Sequence, residues 1–153
     1  MTLWDFARAT YGRPDVSAAC LELQDIHGQC VSLLLWRVWT LAERRPVDEG
    51  LLATAADAAR DWDRAAVTPL RELRRRLKAP APPVEDAART ALRDQIRSAE
   101  LAAERILLDT LEALTPAPGG DHLDLTAALT ATAAAWDPAL PRDGVRRLVL
   151  ALG

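Results

Sequence analysis

Apolar residues recur at intervals of three and four along most of the chain, which is the spacing of one face of an α-helix. Such stripes run through residues 16–26, 84–114 and 145–152. Thr2, with Asp5 three positions later, is typical of a helix N-cap. The pattern therefore predicts a chain of successive helices from residue 3 onward.

The segment 30–44 is apolar on nearly all of its faces. A helix without a polar face is a buried one. We therefore expect an all-α fold: a compact bundle of five to seven helices around a central helix at about residues 30–44. Gly28 is expected to close the preceding helix in a left-handed conformation.

Proline positions divide the remaining chain. Pro46 is expected to open a fourth helix, and Thr68-Pro69 to restart it, so residues 46–78 form either one kinked helix or two. Three prolines within residues 79–83 favour an extended linker. We expect one domain over residues 1–153, with this linker between an N-terminal helical half and the long helix 84–114.

Two further helices are expected near the C-terminus. Asp121 is expected to cap a helix over residues 123–136, and His122 beside it is expected to face solvent. Residues 145–152 are expected to form a short apolar helix.

Composition supports the all-α prediction. Ala and Leu together make 55 of 153 residues, whereas Val and Ile supply only 11. Ala and Leu favour helices, while β-branched residues favour sheets. The net charge of −3 is typical of a globular protein rather than of a general nucleic-acid binder.

Cysteine content bears on the cellular compartment. Cys20 and Cys30 are too few for a disulfide framework, so two reduced thiols in a reducing compartment are expected. The N-terminus lacks the pattern of a signal peptide, and no apolar run is long enough for a bilayer. We expect a cytoplasmic protein that does not contact membranes.

The N-terminal part of the chain resembles a known family. The matching residues are Leu3-Trp4-x-Phe6-Ala7, Tyr11-x-x-Pro14-x-Val16, Cys20-Leu21-x-Leu23-Gln24-Asp25-x-x-Gly28 and Val31-x-Leu33-Leu34-Leu35-Trp36. They are similar to an uncharacterised proteobacterial family of helical proteins. The resemblance implies a helical bacterial protein and no activity. Cys30 and Ser32 stand where Asp and Asn are more usual in that family.

Gln24, Asp25, His27 and Arg37 form a candidate polar site. Asp25 is expected in the last turn of a helix, where the helix dipole disfavours a carboxylate. We expect its side chain to be partly buried and to accept hydrogen bonds from a cation such as Arg37 or from backbone amides. The alternative is a polar site for a partner's backbone or a small ligand.

Cys20, His27 and Cys30 do not have the spacing of a zinc site. Cys20 and His27 would lie about 10 Å apart along one helix, whereas each ligand of a single zinc ion lies about 2.0–2.3 Å from it. We expect no metal and no cofactor.

Five cations form a candidate patch for an anion or a partner: Arg71, Arg74, Arg75, Arg76 and Lys78. A solvated helix end explains them most simply, since cations stabilise the last turn. Acidic residues of the long helix offer intramolecular partners: Glu85, Asp86, Asp94, Glu100 and Glu104. Otherwise the patch suits an acidic protein or, with less support, RNA.

Trp4, Trp36 and Trp39 are expected to form an aromatic core. The alternative is an apolar groove that accepts a partner helix or an apolar ligand.

No phosphate-binding loop, nucleophile elbow or metalloprotease motif occurs. The sequence favours a non-catalytic binding or adaptor protein whose partner is another protein. A small-ligand or metal-binding module at Gln24, Asp25 and His27 is one alternative, and an enzyme of unrecognised type is another. The oligomeric state is left open.

Overall fold

A computed structural model describes residues 1–120 and 123–153. Within them the chain forms α-helices and no strand, as the sequence predicts. The helices are α1 Leu3–Tyr11, α2 Pro14–Asp25, α3 Val31–Ala42, α4 Glu49–Trp62, α5 Thr68–Arg76, α6 Asp86–Leu114, α7 Leu125–Trp136 and α8 Arg142–Leu152. None of these helices combines the length and apolarity that a bilayer crossing requires.

The central position of α3 is confirmed. Its residues 33–40 are all buried, and it contacts α1, α2, α4, α6 and α7. One cluster of core side chains packs α3 against α1, α4 and α6. A second cluster packs α3 against α2, α7 and α8.

The turn between α2 and α3 positions the residues discussed below. Gly28 has φ +63°, which glycine adopts at little cost, and its N–H donates to the Gln24 carbonyl at 3.1 Å. The glycine stop predicted here is confirmed. It turns the chain sharply, so that Gln29 and Cys30 enter the core at the start of α3.

Residues 49–76 form one continuous helix. A π-helical segment, Asp63–Val67, joins α4 to α5, and the N–H of Thr68 donates to the Asp63 carbonyl. The helix begins at Glu49, capped by Asp48, so the start predicted at Pro46 is wrong. Asp48 accepts from the Leu51 N–H at 2.7 Å, a bond that fixes the start of the helix.

The helix over residues 49–76 packs against α6, and the predicted linker connects the two helices as a hairpin. Residues 77–85 are non-helical, and α6 runs to Leu114 as predicted. The cap of α7 is Asp124, whose side chain accepts from the Ala127 N–H at 2.7 Å. The predictions for Asp121 and His122 lie outside the described residues.

Candidate functional site

The predicted polar site is only partly assembled. Gln24 Nε2 donates to Asp25 Oδ1 at 3.1 Å, and an arginine also donates to this oxygen. That arginine is Arg75 of α5, at 2.7 Å, rather than Arg37. The Asp25 side chain is 45% exposed, so it is partly covered and bonds a cation as expected, although the cation is not the one suggested. The end of α2 lies on the surface beside the end of α5.

Arg37 lies elsewhere, inside the bundle. It is buried and donates to Thr40 Oγ1 at 3.2 Å. Burial lowers the pKa of its guanidinium. His27 is partly exposed and faces α8, where a Cβ added at Gly144 would lie 3.6 Å from its Cδ2. The four predicted residues therefore do not form one site.

Two arginines of the basic patch are neutralised by α6. Arg71 donates to Glu100 at 2.9 Å and to Glu104 at 3.1 Å, and Arg74 donates to both Glu100 oxygens. Burial alone raises the pKa of Glu100, but hydrogen bonds from the two arginines outweigh it and hold this pKa below its ordinary value. Of the five acidic residues offered as intramolecular partners, Glu100 and Glu104 pair with the patch.

The remaining cations of the patch are more exposed. Arg75 and Arg76 have 51% and 77% of their side chains exposed. Arg75 bonds Asp25, and Arg76 lies 3.8 Å from Glu72. Lys78 is exposed beyond the helix end.

Trp4, Trp36 and Trp39 do not together line an apolar groove, which was the alternative to an aromatic core. Trp36 and Trp39 are fully buried, and their Nε1 atoms donate to Thr115 Oγ1 at 2.8 Å and to the Met1 carbonyl at 3.1 Å. Both are core residues, as the simpler interpretation expects. Trp4 is half-buried and lies at the edge of a cavity.

This cavity is the feature that the sequence did not reveal. It has a volume of about 340 Å³ and lies between α1, α3, α6 and the π-helical segment. Trp4, Ala7, Leu35, Val67 and Leu107 supply apolar walls. Its lining residues extend from Trp4 to Leu108 in the sequence. A pattern of neighbouring residues therefore could not indicate the cavity.

Several polar side chains reach the same cavity. Gln24, Gln29, Arg71 and Glu104 are among its lining residues. Burial raises the pKa of Glu104, and attraction to Arg71 opposes the increase. Gln24 and Arg71, predicted as members of two separate sites, are thus brought to one cavity.

Gln29 differs from the other polar lining residues because it is buried and incompletely hydrogen-bonded. It is 3% exposed, and its Nε2 donates to the Ala133 carbonyl at 3.4 Å. Its Oε1 is buried and accepts no hydrogen bond from the described residues. The only sequence signal for Gln29 is a polar residue between the helix-stopping Gly28 and an apolar helix.

The two cysteines are unreactive in this environment. Both are buried and unpaired. Burial raises the pKa of Cys20 to about 12 and that of Cys30, which lines the cavity, to about 12. Both thiols are therefore protonated at neutral pH, and a thiolate nucleophile or ligand is disfavoured.

A second, more open depression adjoins the cavity. Its volume is about 550 Å³, and it shares Tyr11, Gln24, Leu101 and Glu104 with the cavity. Tyr11 and Leu101 are exposed. The cavity and the depression therefore meet at these four residues.

Together the fold and the cavity define an all-α protein with an interhelical pocket of mixed, mainly apolar lining. The chain belongs to a family described as protein of unknown function (DUF2390), whose model matches residues 2–111. No curated protein matches the chain, and no solved structure matches it. All lining residues of the cavity, from Trp4 to Leu108, lie within the matched segment.

Proposed function

We propose that the protein binds a small, mainly apolar molecule in the cavity between α1, α3 and α6. The observation that carries this proposal is the convergence of apolar walls and a few polar groups around about 340 Å³. Ligand pockets have volumes of about 300–1,000 Å³ and this kind of lining. The proposal takes up the small-ligand alternative and moves it from Asp25 and His27 to the cavity.

The arrangement favours binding over catalysis. Arg71 and Glu104 hydrogen-bond each other, and burial keeps Cys30 protonated. General acid–base or nucleophilic chemistry needs a group within reach of the substrate whose pKa suits the proton transfer. In this cavity the charges of Arg71 and Glu104 compensate each other, and the Cys30 thiol is neutral.

The test uses indole and indene as bicyclic probes, with affinity measured from NMR chemical-shift titrations. An engineered cavity of about 150 Å³ binds benzene, so a cavity about twice as large accommodates a bicyclic ring. We expect saturable binding of both probes. Resonances of residues that line the cavity are expected to shift.

Ser32→Phe fills the site. Ser32 lines the cavity on α3 and is half-buried. A phenyl ring there is expected to weaken binding of both probes by about tenfold or more, since it overlaps the ligand volume. Ser17→Phe is the matched control, because Ser17 is also half-buried in a first helical turn but lies away from the cavity. Absence of saturable binding, or equal affinity in the two variants, contradicts the proposal.

Contact with another protein is a second candidate function. It is favoured by the exposed side chains of Arg75, Arg76 and Lys78. Among the described residues, the acids that pair with Arg75 and Arg76 are themselves 45% and 56% exposed. An acidic protein surface is the proposed partner, with RNA as the alternative. Replacing the three residues by Glu is expected to abolish binding of such a partner. If the affinity of the unmodified protein for its partner falls steeply as the salt concentration rises, the partner is RNA.

We also propose that the protein is bacterial and cytoplasmic. The N-terminal pattern implies a proteobacterial source. Two buried, unpaired thiols suit a reducing compartment. Fractionation of the source cells, with detection by antibody, tests the location.

A further inference from the structure

We propose that the ligand of the cavity is a compact apolar ring that carries a protonated amine, and that its ammonium group binds the carboxylate of Asp63. This inference rests on the proposed function and adds the chemical class of the ligand. It follows from the position of Asp63 in the π-helical segment, from its hydrogen bonds and from the pairing of the charges around it.

Asp63 reaches the cavity from the π-helical segment. It is one of the lining residues and is partly exposed. Burial raises the pKa of the Cys30 thiol to about 12, and the negative charge of Asp63 acts in the same direction. Cys30 also lines the cavity. The Asp63 carboxylate therefore lies near the Cys30 side of the cavity and is accessible there.

The π-helical turn fixes the orientation of this carboxylate. In a regular α-helix, neighbouring side chains are three or four positions apart, whereas Asp63 contacts Thr68, five positions later. The Thr68 N–H donates to the Asp63 carbonyl, and Thr68 Oγ1 donates to Asp63 Oδ2 at 2.8 Å. Asp63 Oδ1 has no donor among the described residues and is not enclosed by them. One oxygen is thus held in place, and the other is available to a ligand.

The negative charge of Asp63 is not compensated by a neighbouring cation. Arg60 pairs with Asp57, and Arg71 pairs with two glutamates of α6. No ion pair within the described part of the chain includes Asp63. A cationic ligand can therefore bind Asp63 without breaking an existing ion pair.

Arg8 is the other cation besides Arg71 that lines the cavity, but it lies at the opening. Its guanidinium lies over the Trp4 ring, 5.9 Å from the ring centroid, and the residue is exposed. Water and salt screen an exposed charge more strongly than a partly buried one. The charge that a bound ligand has to match is therefore that of Asp63.

An apolar ring that fills the cavity displaces water from the partly buried carboxylate. Loss of hydration around an ion is unfavourable unless hydrogen bonds and an opposite charge replace the water. An ammonium group supplies both, and charge-assisted hydrogen bonds are about twice as strong as neutral ones. A carboxylate on the ligand would instead repel Asp63. The ring itself packs against the apolar walls, Leu35 and Val67 among them.

Tryptamine and tryptophol test the assignment, because they share the indole ring and differ only in an ammonium group in place of a hydroxyl group. NMR titration measures both affinities. Tryptophol is the less hydrated molecule, so the informative quantity is the ratio of the two affinities, compared between proteins. We expect Asp63→Asn to lower the tryptamine-to-tryptophol affinity ratio by about tenfold, because a charge-assisted hydrogen bond becomes a neutral one.

Asp61→Asn is the matched control, because Asp61 is an exposed aspartate of the same helix that does not line the cavity. It changes the net charge equally, and its ratio is expected to equal that of the unmodified protein. Asp63→Glu, which keeps the charge, is expected to retain more of the preference for tryptamine than Asp63→Asn does. Melting curves verify that each variant is folded.

A measurement on the unmodified protein does not depend on the variants. The carboxyl carbon resonance of Asp63 is expected to shift more with saturating tryptamine than with saturating tryptophol, because the ammonium group binds this carboxylate. Equal shifts with the two probes would contradict the proposal.

The outcomes are distinct for the two proposals. If neither tryptamine nor tryptophol binds, and indole and indene do not bind either, the proposed function fails. If the probes bind and the affinity ratio is unchanged in Asp63→Asn, the cavity is a binding site but the amine requirement is wrong. Tighter binding of indoleacetate than of tryptamine, or an equal fall of the ratio in Asp61→Asn, also overturns the assignment to Asp63.

Discussion

Glu100 of α6 forms ion pairs with two arginines of α5. It is buried and accepts hydrogen bonds from both Arg71 and Arg74. Removing one member of a buried ionic cluster leaves the other charges uncompensated. Exposed pairs such as Arg75–Asp25 contribute far less, because water screens them.

Glu100→Ala is therefore expected to lower the free energy of unfolding by about 3–5 kcal/mol. Asp25→Ala is the matched comparison, with an expected loss of about 0–1 kcal/mol. Urea denaturation followed by circular dichroism measures both. Similar losses in the two variants would show that the Glu100 cluster is not the stronger link.

Individual residues of the candidate site differ in how far the sequence predicts them. That the basic patch pairs with acids of α6 was open to prediction, because a short linker joins a basic helix end to a helix with several acidic residues. Which of these acids pair was not, since that depends on how α5 packs against α6. The orphaned oxygen of Gln29 was not, since it depends on the Ala133 carbonyl 104 positions away. For Asp25 the helix and the hydrogen bond from a cation were predicted correctly, but the cation is Arg75 rather than Arg37.

At the scale of elements, most helices follow from the apolar period, while the π-helical segment does not. Pro69 lacks an N–H, and its ring clashes with the carbonyl four residues earlier in a regular helix. The wider turn at Asp63–Val67 relieves that clash and accommodates one additional residue. Pro69 therefore lies within a continuous helix, which is one of the two arrangements that the sequence left open.

The segment can be tested by deletion. Removing the exposed Ala65, together with Pro69→Ala, is expected to give a regular helix with α4 and α5 in their present register. Removing Ala65 and Ala66, again with Pro69→Ala, rotates α5 by about 100° and places Glu72 opposite Glu100.

The single deletion is expected to melt near the temperature of the Pro69→Ala protein, and the double deletion well below it. Thermal denaturation measures both. Equal melting temperatures would mean that the π-helical segment does not set the register of α5.

At the scale of the whole molecule, α7 and α8 complete the bundle although they lie beyond the matched segment 2–111. Leu129 and Leu148 are buried against α2 and α3. Trp136 Nε1 donates to the Gly28 carbonyl at 2.7 Å, beside Gln29. The C-terminal helices therefore support the wall of the cavity without lining it.

A chain ending at Leu114 is accordingly expected not to fold cooperatively. It exposes Leu23, Leu34 and Val38, and burial of such side chains contributes about 1.5–3 kcal/mol each. Near-ultraviolet circular dichroism and thermal denaturation measure the loss. A cooperative melting transition with native aromatic signals in this truncated chain would contradict the prediction.

Binding of an apolar ring in the cavity can be tested by a crystal structure of the protein with indole. We expect the indole ring inside the cavity, between Trp4 and Leu35. Indole bound only at other surfaces, with the cavity unchanged at saturating indole, would contradict it.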